Sequence, residues 1–218
     1  MKLKAPLMYS IGQIKTIKMH PLLTNPNEWQ FVDKETNLLY PYYTEPSLEI
    51  IDYFDFSEQR VLELGMGAST IWWSKKAKSV VAVDHNPQWY NMVVEGLNEK
   101  NSQNVHAIFA EELQDYTLPL KTMGVFDVII VDGSFRKECL ELISKKNIAA
   151  KGMVILDNLE FIPEAIEIPL LRANEAHIFA QPKHHYWRTA IWHIKNFELV
   201  SDNHELNSLE QKKRRGML

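Results

Sequence analysis

From Arg60 onwards, short apolar segments alternate with longer amphipathic ones, and this alternation constrains the fold more than any other feature. Strands are predicted at 61–64, 79–83, 104–110, 126–131 and 152–156. Helices are predicted at 68–77, 86–100, 136–146 and 163–171. Strands that alternate with helices form βαβ units, in which the strands are parallel and the sheet is covered on both faces. The last apolar segments, 176–181 and 189–195, are joined by a short polar loop without room for a helix, which predicts an antiparallel edge hairpin.

The sequence therefore predicts an α/β fold with a mostly parallel seven-stranded sheet, an antiparallel edge hairpin and helices on both faces. A chain of 218 residues is long enough for one such domain and short for two. We expect an irregular extension over residues 1–45 that packs on the domain, the ligand-binding domain over 46–200, and a polar, basic tail over 201–218. Thr44 is predicted to cap the first helix of the domain, with Pro46 in its first turn.

Composition argues against several classes of protein. Hydrophobic residues make up 45% of the chain and charged residues 24%, as in ordinary globular proteins. The net charge of −4 gives no electrostatic reason to expect nucleic acid as the main partner. No segment approaches the roughly 18 apolar residues of a membrane span. We therefore expect no contact with membranes. The single cysteine, Cys139, excludes an intramolecular disulfide, which favours a cytoplasmic protein.

A glycine-rich turn, Glu63-Leu-Gly-Met-Gly-Ala-Ser-Thr70, follows the first predicted strand. Its two glycines, Gly65 and Gly67, allow a tight turn and a close approach to a ligand that faces the next helix. Asp84, at the end of the second strand, follows Gly65 by 19 residues, the spacing at which a carboxylate meets the ribose hydroxyls of a nucleoside. Packing glycines and a capping aspartate are the alternative interpretation. Together the two features indicate an adenosine-type ligand.

Two residues of the turn restrict which ligand this is. Thr70 stands where a dinucleotide-binding turn has its third glycine. Glu63 would be badly placed beside a pyrophosphate but suits a positively charged amino group. This favours S-adenosylmethionine, which carries a sulfonium and an ammonium group and no phosphate. Further predicted contacts with it are those of Ser69 in the turn, His85 after Asp84, and Glu111 after the third strand.

Four segments, 61–70, 80–86, 126–133 and 152–158, resemble in order and spacing the signatures of class I S-adenosylmethionine-dependent methyltransferases. The resemblance implies a Rossmann-like fold and methyl transfer. The turn is also similar to that of a poorly characterised bacterial methyltransferase group, in which it reads E-x-G-S-G-x-S-T and follows an aromatic segment. That resemblance implies that Tyr43 and Thr44 lie near the methionine end of the cofactor.

Oxygen-bearing side chains end the fourth and fifth predicted strands. Asp132 follows the fourth strand, and Asp157 and Asn158 follow the fifth. Parallel strands end at a common edge, and hard oxygen donors of this kind suit Mg²⁺ or Ca²⁺. Their order resembles the divalent-metal site of catechol-type O-methyltransferases, which implies a metal that helps to deprotonate the acceptor. Contact with the substrate or cofactor, without a metal, is the alternative.

The chain departs from the catechol-type pattern at its catalytic base. Phe135 stands three residues after Asp132, where that family has a lysine. Arg136 or Lys137 could approach the site, but arginine cannot act as a base at neutral pH. The predicted catalytic residues are therefore Asp132, for the proton, and Arg136.

The working hypothesis is a methyltransferase that methylates an oxygen of a small molecule, assisted by a divalent metal such as Mg²⁺. A non-catalytic S-adenosylmethionine-binding module and a methyltransferase acting on nucleic acid or protein are the alternatives. Methylation of base amino groups commonly uses an Asn/Asp-Pro-Pro-aromatic segment, and Asp132-Gly-Ser-Phe135 contains no proline. A homodimer is left open.

Overall fold

The computed structural model describes residues 2–3, 31–32, 39–181 and 184–195. Most of the predicted extension over 1–45 and all of the predicted tail over 201–218 lie outside these residues. The domain boundaries therefore stay predictions.

The described strands and helices follow one another along the chain. The strands are β1 (Lys2–Leu3), β2 (Phe31–Val32), β3 (Leu39–Tyr40), β4 (Phe54–Asp55), β5 (Arg60–Leu64), β6 (Ser79–Asp84), β7 (Val105–Phe109), β8 (Phe126–Val131), β9 (Ile148–Asp157), β10 (Ala176–Gln181) and β11 (His184–His193). The helices are α1 (Glu45–Asp52), α2 (Ala68–Lys76), α3 (Pro87–Glu99), α4 (Leu113–Tyr116), α5 (Leu118–Thr122), α6 (Arg136–Leu142) and α7 (Pro169–Arg172). Turns of 3₁₀-helix cover Leu159–Phe161 and Pro163–Glu167. None of the described helices is long and apolar enough to cross a membrane.

Seven strands form one sheet in the order β10-β11-β9-β8-β5-β6-β7. Strands β5, β6, β7, β8 and β9 are parallel to one another, whereas β11 is antiparallel to both β9 and β10. The predicted mostly parallel seven-stranded sheet with an antiparallel edge hairpin is confirmed. The chain proceeds outward from β5 through β6 and β7, then returns to β8 on the other side of β5. Ligands of open α/β sheets bind at such a reversal, so the crevice between the ends of β5 and β8 is the expected site.

The sheet is buried on both faces, because its strands alternate between two hydrophobic layers. In β8, Ile129 and Val131 belong to one layer, while Val128 and Ile130 belong to the other, and all four are fully buried. Helices α1, α2 and α3 supply side chains to the second layer, and α4 to α7 supply side chains to the first. The continuous apolar run of β8 thus reflects the fact that helices cover this strand on both sides.

Two predicted helices differ from those observed. Helix α6 ends at Leu142 instead of residue 146, because the Asn147 side chain donates to the Leu142 carbonyl at 2.8 Å and accepts from the Ser144 amide at 2.9 Å. The predicted single helix over 163–171 is wrong. It is divided into a 3₁₀ turn and α7, since Pro169 has no amide hydrogen and disfavours helical geometry in the residue before it.

The predicted capping role of Thr44 is also wrong, since its side chain makes no cap hydrogen bond. The Thr44 amide instead donates to Thr189 Oγ1 in β11 at 2.9 Å. The next amide, of Glu45, donates to Gln181 Oε1 at 2.9 Å, and Gln181 Nε2 donates to Glu45 Oε1 at 3.0 Å. These bonds tie the start of α1 to the edge hairpin, across more than a hundred residues of chain. They hold residues 42–44 at the edge of the sheet where β9 ends.

Candidate functional site

The turns that follow β5 and β8 pack directly against each other. The amides of Asp132 and Gly133 both donate to the Leu64 carbonyl, at 2.9 and 2.8 Å. Gly65 has a φ of 112°, and a Cβ at this position would collide with the Gly133 backbone. The structure therefore explains Gly65 by contact between the two turns, where the sequence suggested contact with a ligand. Gly133, which the sequence reasoning did not single out, is required by the same contact.

Gly67, in contrast, is not required by packing. A Cβ there would meet nothing closer than Ser69 Oγ at 3.5 Å, an ordinary van der Waals distance. The Gly67 amide donates to Thr70 Oγ1 at 2.9 Å, and that hydroxyl donates to Glu63 Oε2 at 2.6 Å. Ser69 is buried beside them at the start of α2. Four of the predicted cofactor-binding residues are thus collected in one buried hydrogen-bonded turn.

Glu63 is fully buried and only partly satisfied. Oε2 accepts from Thr70, while Oε1 has no hydrogen-bond partner among the described residues. Burial raises the pKa of this carboxyl to about 8, against the lowering effect of the neighbouring hydroxyls. A buried polar atom without a partner is costly, and such atoms in folded proteins are often completed by a ligand. A cationic group of a ligand would satisfy Oε1.

Asp84 joins the glycine-rich turn to the end of β6. Oδ2 accepts from the Met66 amide at 2.9 Å, and Oδ1 accepts from the Asn86 amide at 2.8 Å. Asn86, and not Asp84, caps α3, because its side chain accepts from the amides of Gln88 and Trp89. The alternative interpretation of Asp84 as a helix cap is therefore excluded. Each carboxylate oxygen keeps a second lone pair that can accept from a ligand hydroxyl.

Three aromatic rings from separate elements form a wall beyond Asp84. His85 lies edge-on to Phe135 and Tyr116, with ring centroids 6.3 and 6.4 Å away, and its Nε2 is 3.1 Å from Ser134 Oγ. Tyr116 and Phe135 are 5.4 Å apart, and Phe135 adopts the left-handed backbone conformation that is rare for bulky residues. Sequence reasoning predicted His85 and missed the other two, which no local pattern marks. The predicted Glu111 lies exposed after β7.

An arginine side chain lies where the sequence predicted a metal ion. Arg136 Nη2 donates to the Asp132 carbonyl at 2.8 Å, to Asp132 Oδ1 at 3.1 Å and to Asn158 Oδ1 at 3.2 Å. The guanidinium thus occupies the position between two of the three predicted ligands. In the described part of the chain, no group of three or more His, Cys, Asp or Glu side chains could hold a metal ion. The predicted Mg²⁺ at Asp132, Asp157 and Asn158 is not supported, because the donor set is already neutralised by a fixed cation.

Asp157 has other hydrogen-bond partners. Its Oδ1 accepts from Thr189 Oγ1 at 2.6 Å, and Trp187 Nε1 lies 3.4 Å from both carboxylate oxygens. Burial, together with the charge of Asp132, raises the pKa of Asp157 well above its usual range. Burial also raises the pKa of Asp132, to about 6, against the lowering effect of Arg136. Burial therefore opposes the ionisation of both acids, and Arg136, which contacts Asp132 directly, opposes this effect.

Tyr43 and Thr44 lie on the same acidic side of the site. Tyr43 is completely buried, and its Oη accepts from Trp73 Nε1 at 3.3 Å. Burial raises the pKa of Tyr43, and the nearby charges of Glu63 and Asp132 raise it further, which places the phenol close to both acids. Thr44 Oγ1 is buried without a hydrogen-bond partner among the described residues. The site therefore presents several buried acids and unsatisfied polar atoms, an arrangement that suits a cationic ligand without phosphate.

Several solved structures with a similar fold are methyltransferases. An rRNA methylase from Streptococcus thermophilus matches over 70% of this chain and 96% of its own, with a TM-score of 0.54 and 12% identity. A precorrin-6y C5,15-methyltransferase from Geobacter metallireducens matches over 65% of this chain and 82% of its own, with a TM-score of 0.53 and 15% identity. A candidate methyltransferase from Streptococcus mutans, solved in complex with S-adenosylhomocysteine (SAH), matches over 68% and 96%, with a TM-score of 0.52 and 15% identity.

These similarities show the fold. The chain has the Rossmann-like fold found in S-adenosylmethionine-dependent methyltransferases. No family model matches the sequence, and no curated protein is similar to it. The finer resemblances, to the bacterial group with the E-x-G-S-G-x-S-T turn and to the catechol-type enzymes, are not confirmed.

Proposed function

We propose that this protein is an S-adenosylmethionine-dependent methyltransferase that methylates an oxygen of a small molecule without a divalent cation. One observation carries the proposal: Glu63 and Asp84, which are buried, and Asp132, which is about four-fifths buried, lie together at the switch point of a sheet with the methyltransferase fold. Buried acids in that crevice fit a ligand with two positive groups and no phosphate. The SAH bound to the Streptococcus mutans protein supports the same choice of ligand.

Each part of the site fits one part of such a ligand. Glu63 Oε1 would accept from the amino group, and the missing side chain at Gly67 would leave room for the methionine portion. Asp84 retains lone pairs for the ribose hydroxyls, as at the corresponding position of other Rossmann-like sites. His85 and Phe135 would enclose the adenine, whose planar ring suits an aromatic wall.

The chemical step needs an acceptor that has lost its proton. When bound, S-adenosylmethionine supplies a methyl group on a positively charged sulfur. Asp132 is suited to take the acceptor's proton, since its pKa of about 6 lies near neutral pH, where general bases work best. Arg136 keeps Asp132 ionised and gives the site its cation, the part that a metal plays elsewhere. Asp157, whose pKa is raised by burial, would orient the acceptor through a hydrogen bond. The protein would otherwise act by positioning the reactants.

The acceptor is proposed to be small and not strongly anionic. The fold does not choose an acceptor, since one similar structure is an rRNA methylase and another a precorrin methyltransferase. The acidic edge of the site and the net charge of −4 both disfavour a polyanion. A non-catalytic binding module would have no use for a buried Asp132–Arg136 pair beside the ligand.

The first test is binding, measured by isothermal titration with SAH and with NAD. We expect the protein to bind SAH and not NAD, and failure to bind SAH would contradict the proposal. The second test is transfer from tritiated S-adenosylmethionine to small-molecule, RNA and protein fractions in the presence of EDTA. Transfer to the small-molecule fraction is expected, and Asp157→Asn should reduce it at least about tenfold while SAH binding is spared. Transfer to RNA or protein alone would contradict the proposed small-molecule acceptor and identify a macromolecular one instead. SAH binding without any transfer would favour the binding module.

A further inference from the structure

Glu63 is a carboxyl group that the fold encloses without a positively charged partner. It is fully buried near the end of β5. Oε2 accepts a hydrogen bond from Thr70 Oγ1 at 2.6 Å, and Oε1 has no partner among the described residues. Within the same ranges of the chain, no lysine, arginine or histidine forms an ion pair with it. A buried carboxylate that lacks both a cation and a full set of donors costs more free energy than the neutral acid.

The groups around Glu63 favour the same neutral form. Asp84, at the end of β6, and Asp132, after β8, both oppose its ionisation through their charges. The phenol of Tyr43, in the segment before α1, lies close to it and stays neutral, because burial raises the pKa of that phenol. The first turn of α2 contributes hydroxyl groups, which favour the carboxylate without supplying a charge. Burial exceeds their effect and raises the pKa of Glu63 to about 8.

The ammonium group of a bound ligand would reverse this balance. A positive charge beside Oε1 supplies both the missing hydrogen-bond donor and the missing counter-ion, which favours the carboxylate. The O–H bond of the carboxyl group then breaks, and its proton passes to the solvent. The ammonium group stays protonated throughout. The site therefore gains one positive charge with the ligand and loses one with the proton.

We propose that Glu63 holds a proton in the free protein and releases it to the solvent when the ammonium group of the cofactor binds, which links cofactor affinity to pH. This inference rests on the proposed function and adds the regulation of the same site. Below the pKa of about 8, binding has to displace the proton, so the affinity falls as the pH falls. Above that pKa the free protein has already lost the proton, and the dependence on pH disappears.

The experiment counts the released protons by isothermal titration of the protein with SAH near pH 7. Titrations in PIPES and in imidazole, two buffers with different heats of ionisation, give the number of protons from the difference in the heat of binding. We expect about one proton for each SAH bound. The matched ligand is deamino-SAH, in which hydrogen replaces the amino group, and it should release none. Equal release with the two ligands, or no release with SAH, would overturn the inference.

Variants assign the proton to Glu63. In the unmodified protein, SAH affinity should rise about tenfold from about pH 6 to about pH 7. Glu63→Gln keeps the size of the side chain but has no proton to release, so its affinity should change by less than about threefold over the same range. Glu63→Asp keeps a buried carboxyl group and should still release a proton. Glu58→Gln, which changes an exposed glutamate paired with Lys78, should behave like the unmodified protein.

Infrared difference spectroscopy observes the same event directly. The carbonyl stretching band of a protonated carboxyl group should be lost when SAH binds to the unmodified protein. This loss should be absent from Glu63→Gln and from the spectra recorded with deamino-SAH. An unchanged loss in Glu63→Gln would show that the proton comes from another acid and would contradict the inference.

Binding and methyl transfer separate the two proposals. If SAH does not bind to the unmodified protein, the proposed function fails. If SAH binds and methyl transfer occurs without release of a proton, the proposed function stands and the link to pH is wrong. Circular dichroism melting curves show whether each variant is folded. The comparison of SAH with deamino-SAH uses the unmodified protein alone, so it tests the inference even if Glu63→Gln does not fold.

Discussion

Arg136 and Asp132 form an ion pair within one short stretch of chain, in which Arg136 Nη2 donates both to the Asp132 carboxylate at 3.1 Å and to its carbonyl at 2.8 Å. Both side chains are about four-fifths buried. The pair removes the reason to expect a metal ion, because the charge that a cation would neutralise already has a partner. It also sets the protonation of the residue proposed as the base.

Loss of this arginine should move the pH dependence of methyl transfer. Burial raises the pKa of Asp132, the neighbouring Arg136 lowers it, and the charge of Asp84 raises it. In Arg136→Met the lowering effect is gone, so Asp132 ionises only at higher pH. The acidic limb of the kcat profile should therefore move upward from about pH 6 by about one unit or more. Arg136→Lys should give a smaller shift, and EDTA should change neither profile.

A suitable control for that series is Arg172→Met. Arg172 is exposed and lies 4.0 Å from Glu167, so its removal deletes a surface charge without touching the site. Its profile should coincide with that of the unmodified protein. Loss of activity in EDTA, with recovery on added Mg²⁺, would contradict the role given to Arg136.

The two glycines of the turn should respond differently to alanine. Gly67→Ala places a Cβ where the free protein has room, so the fold should keep its stability while SAH binding weakens at least about tenfold. Gly65→Ala meets the Gly133 backbone at a positive φ and should lower the free energy of unfolding by about 2 kcal/mol or more. Urea denaturation and SAH titration measure the two effects. Normal SAH binding by Gly67→Ala would remove this residue from the cofactor site.

Asp84→Ala should weaken SAH binding severely, by about a hundredfold, because it removes both the proposed ribose acceptor and the bonds that hold the turn. Asp127→Ala is the matched control. Asp127 also lies in the parallel sheet and accepts a backbone amide, that of Arg60, at 2.9 Å, but at the start of β8, away from the site. Titration with SAH compares the affinity of the two variants, and thermal melting shows whether the two substitutions lower stability to a similar extent. Equal affinity of both variants for SAH would leave Asp84 with a purely structural role.

Glu63 should make the free protein less stable as the pH rises. Its pKa is raised from 4.5 to about 8 in the folded state, so between these values the folded protein keeps a proton that the unfolded chain has lost. The free energy of unfolding therefore falls as pH increases through this window. Glu63→Gln is neutral throughout, so it should be the more stable protein near pH 8, and the two should converge near pH 4. Urea denaturation across the window checks the difference, and parallel curves would be inconsistent with a buried, protonated Glu63.

The positions of the strand ends could be predicted from the sequence, because parallel strands covered by helices need continuous apolar runs. Asp84, Asp132 and Asp157 follow such runs, and the structure brings all three to one edge of the sheet. The break at Pro169 was equally local and was missed, since the apolar spacing around it continued on both sides. The end of α6 could not be predicted from the apolar pattern, because it depends on the Asn147 side chain, which folds back and donates to the Leu142 carbonyl.

Partners in space were beyond the sequence. The acids after β8 and β9 resembled a set of metal ligands, and only the direction of the Arg136 side chain showed that their cation is part of the protein. Tyr116 and Phe135 are 19 positions apart in the sequence, yet the fold places their rings against each other and both beside His85. The stack of Tyr42 on Trp187 joins opposite ends of the domain.

The sequence by itself determined the layered sheet, its antiparallel edge and the line of acids at its carboxyl end, because burial is recorded residue by residue in the pattern of apolar side chains. The tertiary structure alone decided the charge state and partner of each acid. Electrostatic interactions depend on distances through space and on the water that folding excludes. Thr44, Asp157 and Thr189 meet only in the folded sheet, where their hydrogen bonds join the segment before α1 to β9 and β11.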